Sequence, residues 1–281
     1  MPQQKTLLSF ILLSVLLFGF LYSGDLLSSD KIDIVVLISA DAEWKPVHEH
    51  FARFKPGSTP FGEIFSSEIQ ADDLRKSVVY FHGGWGKINA AASTQYAIDR
   101  WHPILLINCG TCGGFEGSIR INDVLLVRKT VVYDIVEQMG DPEAALTYYA
   151  TTMDLAWLTK PYPTPVVESI LVSADRDIRV DDIPELKKKF GAIAADWESG
   201  AIAYTARQNQ TPCLILRAVS DIVGVRGGEA YGDPKLFEKR TAPIMKNFLD
   251  ILPAWIKAAE KLFGPGTRPS RQAPFIFQPG P

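Results

Sequence analysis

The chain has 281 residues, with 29 Lys plus Arg against 32 Asp plus Glu and a formal net charge of −3. That near balance, without a basic cluster, argues against a nucleic-acid partner. A hydrophobic fraction of 47 % is enough for one large α/β core or two small ones.

The N-terminus stands apart. Behind Lys5, residues Leu7 to Tyr22 carry no charge. This reads as a secretory signal peptide or an uncleaved signal anchor. The apolar stretch is just short of the usual spanning range of roughly 17–25 residues. The expectation is an exported or membrane-anchored protein tethered through residues 7–22, so residues 1–30 are set aside from the fold.

From Ile32 to Ser39 the chain is nearly all apolar, as suits a strand buried on both faces. Glu43 to Phe54 reads as a helix, and Val78 to Phe81 as a strand ending at the glycines of Gly83-Gly84-Trp85-Gly86. A helix over Asn89–Arg100 follows, rich in Ala90, Ala91, Ala92 and Ala97, until Pro103 breaks it. Ile104 to Asn108 returns to strand. The run Asn108-Cys-Gly-Thr-Cys-Gly-Gly114 then reads as a glycine-rich turn that can approach a ligand closely. Val124–Val132 and Val166–Val172 are strand-like, Ile183–Phe190 and Ser199–Gln208 helical, and Pro212–Val219 a strand. Lys235–Leu262 is a long helical stretch with breaks expected at Pro243 and Pro253. Gly264–Pro281 is a Pro/Gly-rich tail without periodicity. Strands alternating with helices predict one domain over residues 31–263 with a mainly parallel sheet, whose ligands bind beyond the carboxyl ends of the strands.

Four polar positions recur at such ends. Thr111, beside Gly110 in the glycine-rich run, offers a hydroxyl and amides to an anion, a sugar hydroxyl or a water. Asp221 follows a buried strand, where partial desolvation raises a carboxyl pKa and suits a proton donor; Arg217 and Ser220 lie in the same segment. Glu198 suits a ribose diol, because a carboxylate accepts two hydroxyl hydrogen bonds, and Trp197 beside it offers an apolar wall. Glu43 is placed to orient or deprotonate a water. Each acid also has a plainer reading as a helix-end carboxylate. Together they point to C–N or C–O cleavage at a sugar, with one acid aiding the leaving group and one base aiding water. The odd count of three cysteines gives no disulfide framework, and Cys109-x-x-Cys112 reads as small buried thiols.

Several motifs occur in order across residues 32–225: Ala42-Glu43, Gly84-Trp-Gly-Lys-Ile-Asn-Ala-Ala-Ala92, Asn108–Phe115, Asn122-Asp-Val124, Ser173-Ala-Asp175, Asp196-Trp-Glu198-Ser-Gly-Ala-Ile202 and Arg217-Ala-Val-Ser-Asp221. In these the chain resembles the nucleoside phosphorylase/nucleosidase superfamily, and within it the 5'-methylthioadenosine/S-adenosylhomocysteine nucleosidases. The resemblance implies a three-layer α/β/α sandwich with a mixed, mainly parallel sheet, and a homodimer. It implies that Asp221 is the general acid at purine N7, that Glu198 grips the ribose and that Trp197 packs on it in place of a methionine. It also implies that Glu43 positions the attacking water, unless a one-residue slip puts Trp44 there. Thr111 and Arg217 match neighbours of that water or of phosphate, and the Ile178 backbone the group that reads adenine. No metal or organic cofactor is implied.

The chain departs from the pattern at Asp177, where a phenylalanine usually stacks on the base, and at Gly224, where a second aspartate is common. Val132–Glu137 lacks the usual histidine-aspartate pair. The expected activity is hydrolysis of a purine nucleoside. A phosphate-dependent phosphorylase and a non-catalytic nucleoside-binding or storage protein on the same fold are the alternatives.

Overall fold

In chain order the computed structural model, which describes residues 31–264, begins with β1 (Ile34–Ile38), every residue of which is buried. The leader at 7–22 and the tail from residue 265 lie outside the described residues. β1 is parallel to β3 (Leu74–His82) on one side and to β4 (Leu105–Phe115) on the other. Being covered on both flanks and both faces explains why its sequence shows no polar alternation. β2 (Glu63–Ala71) pairs antiparallel with β3 at the margin of the sheet. It escapes the sequence reading because only one of its faces packs inward, burying Phe65, Ile69 and Ala71 among polar neighbours.

β5 (Val124–Val132), β6 (Val167–Ser173) and β7 (Ala194–Asp196) run parallel to one another. β8 (Cys213–Gly224) is parallel to β4 and antiparallel to β5. β7 in turn pairs antiparallel with the far end of β4. The sheet is thus mixed and mainly parallel, and its β4–β8–β5–β6–β7 part closes on itself. Helices cover it: α1 (Asp41–His50) packs with α6 (Pro234–Ala258), and α2 (Gly86–Trp101) with α5 (Ser199–Gln208). Two shorter helices, α3 (Pro142–Tyr149) and α4 (Ile183–Phe190), join them. Among the described residues no helix is long and apolar enough to cross a membrane.

Two expectations are corrected. The helix α6 continues through Pro243 and Pro253. An interior proline costs about 3 kcal/mol, but Ile244, Met245, Phe248, Leu252, Trp255 and Ile256 bury one continuous stripe of this helix, and that burial outweighs it. The second correction matters for the site. Asn108–Gly114 is not a turn after the strand but the second half of β4 itself. On one edge β4 pairs with β8 along almost its whole length. On the other it pairs with β1 only through Asn108 and with β7 only from Gly113. Between these, Cys109–Cys112 have no strand neighbour on that edge, and their backbone groups are free for side chains.

Candidate active site

That opening in the sheet is the floor of a cavity of about 350 Å³, within the range of small-molecule sites. Glu43, Thr111, Ile178, Trp197, Glu198, Ser220 and Asp221 all line it. The sheet therefore brings together seven of the nine residues singled out from sequence. Gly110 and Arg217 stand behind the wall.

Glu43 arrives from the first turn of α1. Its Oε1 accepts the Thr111 N–H at 2.5 Å and the Thr111 hydroxyl at 2.9 Å, and its Oε2 accepts the Ala40 N–H at 3.2 Å. The carboxylate thus takes the place of the strand missing beside Thr111. Glu43 lines the cavity, whereas Trp44 stacks on His82 at 5.2 Å and donates to Glu63 at 2.9 Å.

Arg217, 0 % exposed, is the hub of this side. It donates from Nε to Ser199 Oγ (2.9 Å), from Nη2 to Asn108 Oδ1 (2.9 Å) and from Nη1 to the Thr111 carbonyl (3.2 Å). It also pairs with Asp196 at 3.0 Å, Glu43 at 3.5 Å and Glu198 at 3.7 Å. Burial alone would lower its pKa, but Asp196, Glu43 and Glu198 together raise it. Arg217, matched in sequence to a neighbour of the attacking water or of phosphate, adjoins Glu43. The guanidinium is spent on buried carboxylates and does not reach the cavity. Gly110 is what lets it lie there, since a Cβ at 110 would sit 2.2 Å from Arg217 Nη1 and 2.7 Å from Glu43 Oε1.

Three buried carboxylates around one cation differ in their satisfaction. Asp196 accepts from the Ser173 hydroxyl (2.5 Å) and from the Ser199 N–H (3.1 Å) and hydroxyl (2.5 Å). Glu198, the N-cap residue of α5, accepts the Gly86 N–H at 3.1 Å. Burial pushes the Glu198 carboxyl up to about 8; Arg217 and the Gly86 N–H oppose the rise, and Asp196 and Glu43 add to it. Beside it the rings of Trp197 and Trp85 meet at 4.7 Å.

Asp221 lies on the other side of the cavity, inside β8 rather than after it. A bulge at Ser220 sets Val219 opposite Cys112 and Asp221 opposite Gly113, which re-aims the side chain. Burial raises the Asp221 pKa, the Ser220 hydroxyl (2.8 Å) and Arg240 oppose the rise, and Glu229 and Asp177 reinforce it. Asp177 lines the cavity and is exposed. Tyr231, which sequence reasoning missed, lines it too and donates its hydroxyl to the Ile178 carbonyl at 3.0 Å. The signal for it was an aromatic closing the Gly227-Gly228 loop: a Cβ at 228 would fall 2.5 Å from the Tyr231 ring. Asp196 was also missed, although it adjoins Trp197 in a motif.

The cysteines are free and buried, and burial pushes Cys109 and Cys213 up to about 12. Among the described residues no group of His, Cys, Asp and Glu is arranged to hold a metal ion.

Residues 33–252 match the family described as the phosphorylase superfamily. A 5'-methylthioadenosine/S-adenosylhomocysteine nucleosidase of Staphylococcus haemolyticus is 31 % identical over 160 residues, covering 52 % of this chain and 69 % of the relative. The nucleosidase of that name from Campylobacter jejuni superposes with a TM-score of 0.65 at 20 % identity, over 82 % of this chain and 99 % of its own. The one from Neisseria meningitidis, solved with methylthio-immucillin-A, gives 0.63 at 23 %, over 80 % and 99 %.

Proposed function

This chain belongs to the phosphorylase superfamily and, within it, to the 5'-methylthioadenosine/S-adenosylhomocysteine nucleosidase family, and on that premise we propose that it hydrolyses the N-glycosidic bond of a purine nucleoside with a 5'-thio substituent. The observation that carries the reading is the convergence of Glu43, Glu198 and Asp221 on one cavity from three separate segments. Asp221, whose carboxyl pKa is raised by burial, gives its proton to the purine as the bond to the sugar breaks. Glu198 hydrogen-bonds the ribose hydroxyls, accepting through its carboxyl oxygens. Glu43, fixed by three hydrogen bonds, orients a water onto the oxocarbenium-like carbon and takes its proton.

Water rather than phosphate is the nucleophile in this reading. Phosphate needs a cationic, multi-donor grip. Here Arg217 is enclosed by its own carboxylates, and Arg176, a cation on the cavity wall, is paired with Asp182 at 2.6 Å. The protein also works as an exported or membrane-anchored homodimer. Support comes from the apolar segment at 7–22 and from exposed Ile88, Val136 and Met139, which lie in the two segments joined by the Lys87–Asp134 ion pair.

Base release from 5'-methylthioadenosine, followed with and without phosphate, tests the reaction. Free thioribose in both cases supports hydrolysis, and sugar phosphate formed only with phosphate overturns it. Asp221→Asn should lower kcat by about 10²–10⁴-fold while binding changes by a few-fold at most. Equal losses of both contradict the acid role.

A further inference from the structure

Helix α2 begins without a cap of its own: Trp85 at the N-cap position makes no side-chain hydrogen bond, and the first turn holds no acid. Its first two N–H groups are instead taken by carboxylates distant in sequence. Gly86 N–H donates to Glu198 Oε1 at 3.1 Å, and Lys87 N–H donates to Asp175 Oδ1 at 2.7 Å. The Lys87 ammonium reaches across to Asp134, and Asp134 Oδ2 accepts the Asp175 N–H at 3.0 Å. Lys87, Asp134 and Asp175 therefore close a ring that fixes the start of α2. Gly86 has φ +84°, a left-handed conformation that suits glycine, so the turn can direct its N–H at Glu198.

Glu198 needs this support more than its neighbours do. Asp196 is held by two serines and Arg217 at 3.0 Å. Glu198 faces the same guanidinium at 3.7 Å. Its aim into the cavity rests on the Gly86 N–H, and so does part of its ionised form, because a hydrogen bond to a carboxylate favours the charged state.

We infer that Lys87, Asp134 and Asp175 are positioning residues: through the Gly86 N–H they aim Glu198 and keep it ionisable for a sugar diol. The inference rests on the proposed role of Glu198 as the ribose grip. The groups facing Glu198 are Arg217, Asp196 and Glu43, with the Gly86 N–H. A change at 87 or 134 leaves the three charged groups in place, so its effect reaches Glu198 only through the Gly86 N–H.

The test compares wild type with Asp134→Asn, Lys87→Met and Lys87→Arg. The first two should raise KM for 5'-methylthioadenosine by about tenfold with a smaller change in kcat. They should also move the midpoint of the pH dependence of 1/KM to higher pH, since Glu198 loses a donor. Lys87→Arg keeps the ion pair and should restore both values. A carbon-13 titration of the Glu198 carboxyl in ligand-free protein, assigned with Glu198→Gln, gives a readout independent of turnover. Its midpoint should rise in Asp134→Asn and Lys87→Met. An unmoved midpoint overturns the inference, even if melting temperature falls, because loss of stability alone is what a purely structural ion pair gives. A raised midpoint in a protein that cleaves no nucleoside supports the positioning and overturns the activity instead.

Discussion

The two sides of the cavity hold their carboxyl groups by opposite means. Around Glu43, Asp196 and Glu198 the charge is buried and met by Arg217, by serine and threonine hydroxyls and by backbone N–H groups. Around Asp221 no ion pair is formed among the described residues: the carboxyl has Ser220 on it, Arg240 opposing its pKa rise, and Tyr231 and Asp177 among the other wall residues. The first side is a rigid cage whose members depend on one another. The second is an acid whose pKa is raised by burial. Parts of a cage fail together, whereas a lone acid can be removed without disturbing its surroundings.

The largest effect expected from this contrast is at Arg217. Arg217→Met leaves three buried carboxylates without their cation, and stability should fall by about 3–5 kcal/mol or more in urea unfolding. A loss near that of Asp221→Asn would mean that the cage is not cooperative.

Glu198→Gln sharpens the comparison through pH. The native carboxyl titrates near 8 against an ordinary 4.5, so between those values the folded chain holds a proton that the unfolded chain has lost. Wild-type stability from this group therefore falls as pH rises through that window. The glutamine variant should gain stability relative to wild type as pH rises toward 9, and the advantage should shrink toward pH 4. A difference that stays flat with pH would show that Glu198 is ionised throughout.

The smallest effect is on the open side. Tyr231→Phe removes one half-buried hydrogen bond and should cost about 1 kcal/mol of stability. It also frees a lone pair of the Ile178 carbonyl. The preference for 6-amino over 6-oxo purine nucleosides, compared by kcat/KM, should then increase. An unchanged preference would remove Ile178 from base reading.

Much of the site was legible because strand ends and acids announce themselves locally. Glu43, Glu198 and Asp221 each stand at or near the end of an apolar run. Helices α4 and α5 appear at their expected bounds, since Gly191 ends one and a polar N-cap opens the other. What escaped depended on partners remote in sequence. Tyr231 and Asp196 matter through contacts with Ile178 and Arg217. The cluster Lys87–Asp134–Asp175 joins residues up to 88 apart.

The sequence alone determined the alternating α/β order, the burial of β1 and β8 and which acids stand near the ends of apolar runs, because hydrophobic periodicity and residue chemistry are local properties. Only the tertiary structure decided that Asn108–Gly114 is strand, that α6 runs through two prolines and that Arg217 joins Asp196, Glu43 and Glu198. Those outcomes depend on which groups a folded chain brings within a few ångströms, and on burial that makes an unpaired charge or an unmet N–H too unfavourable to leave.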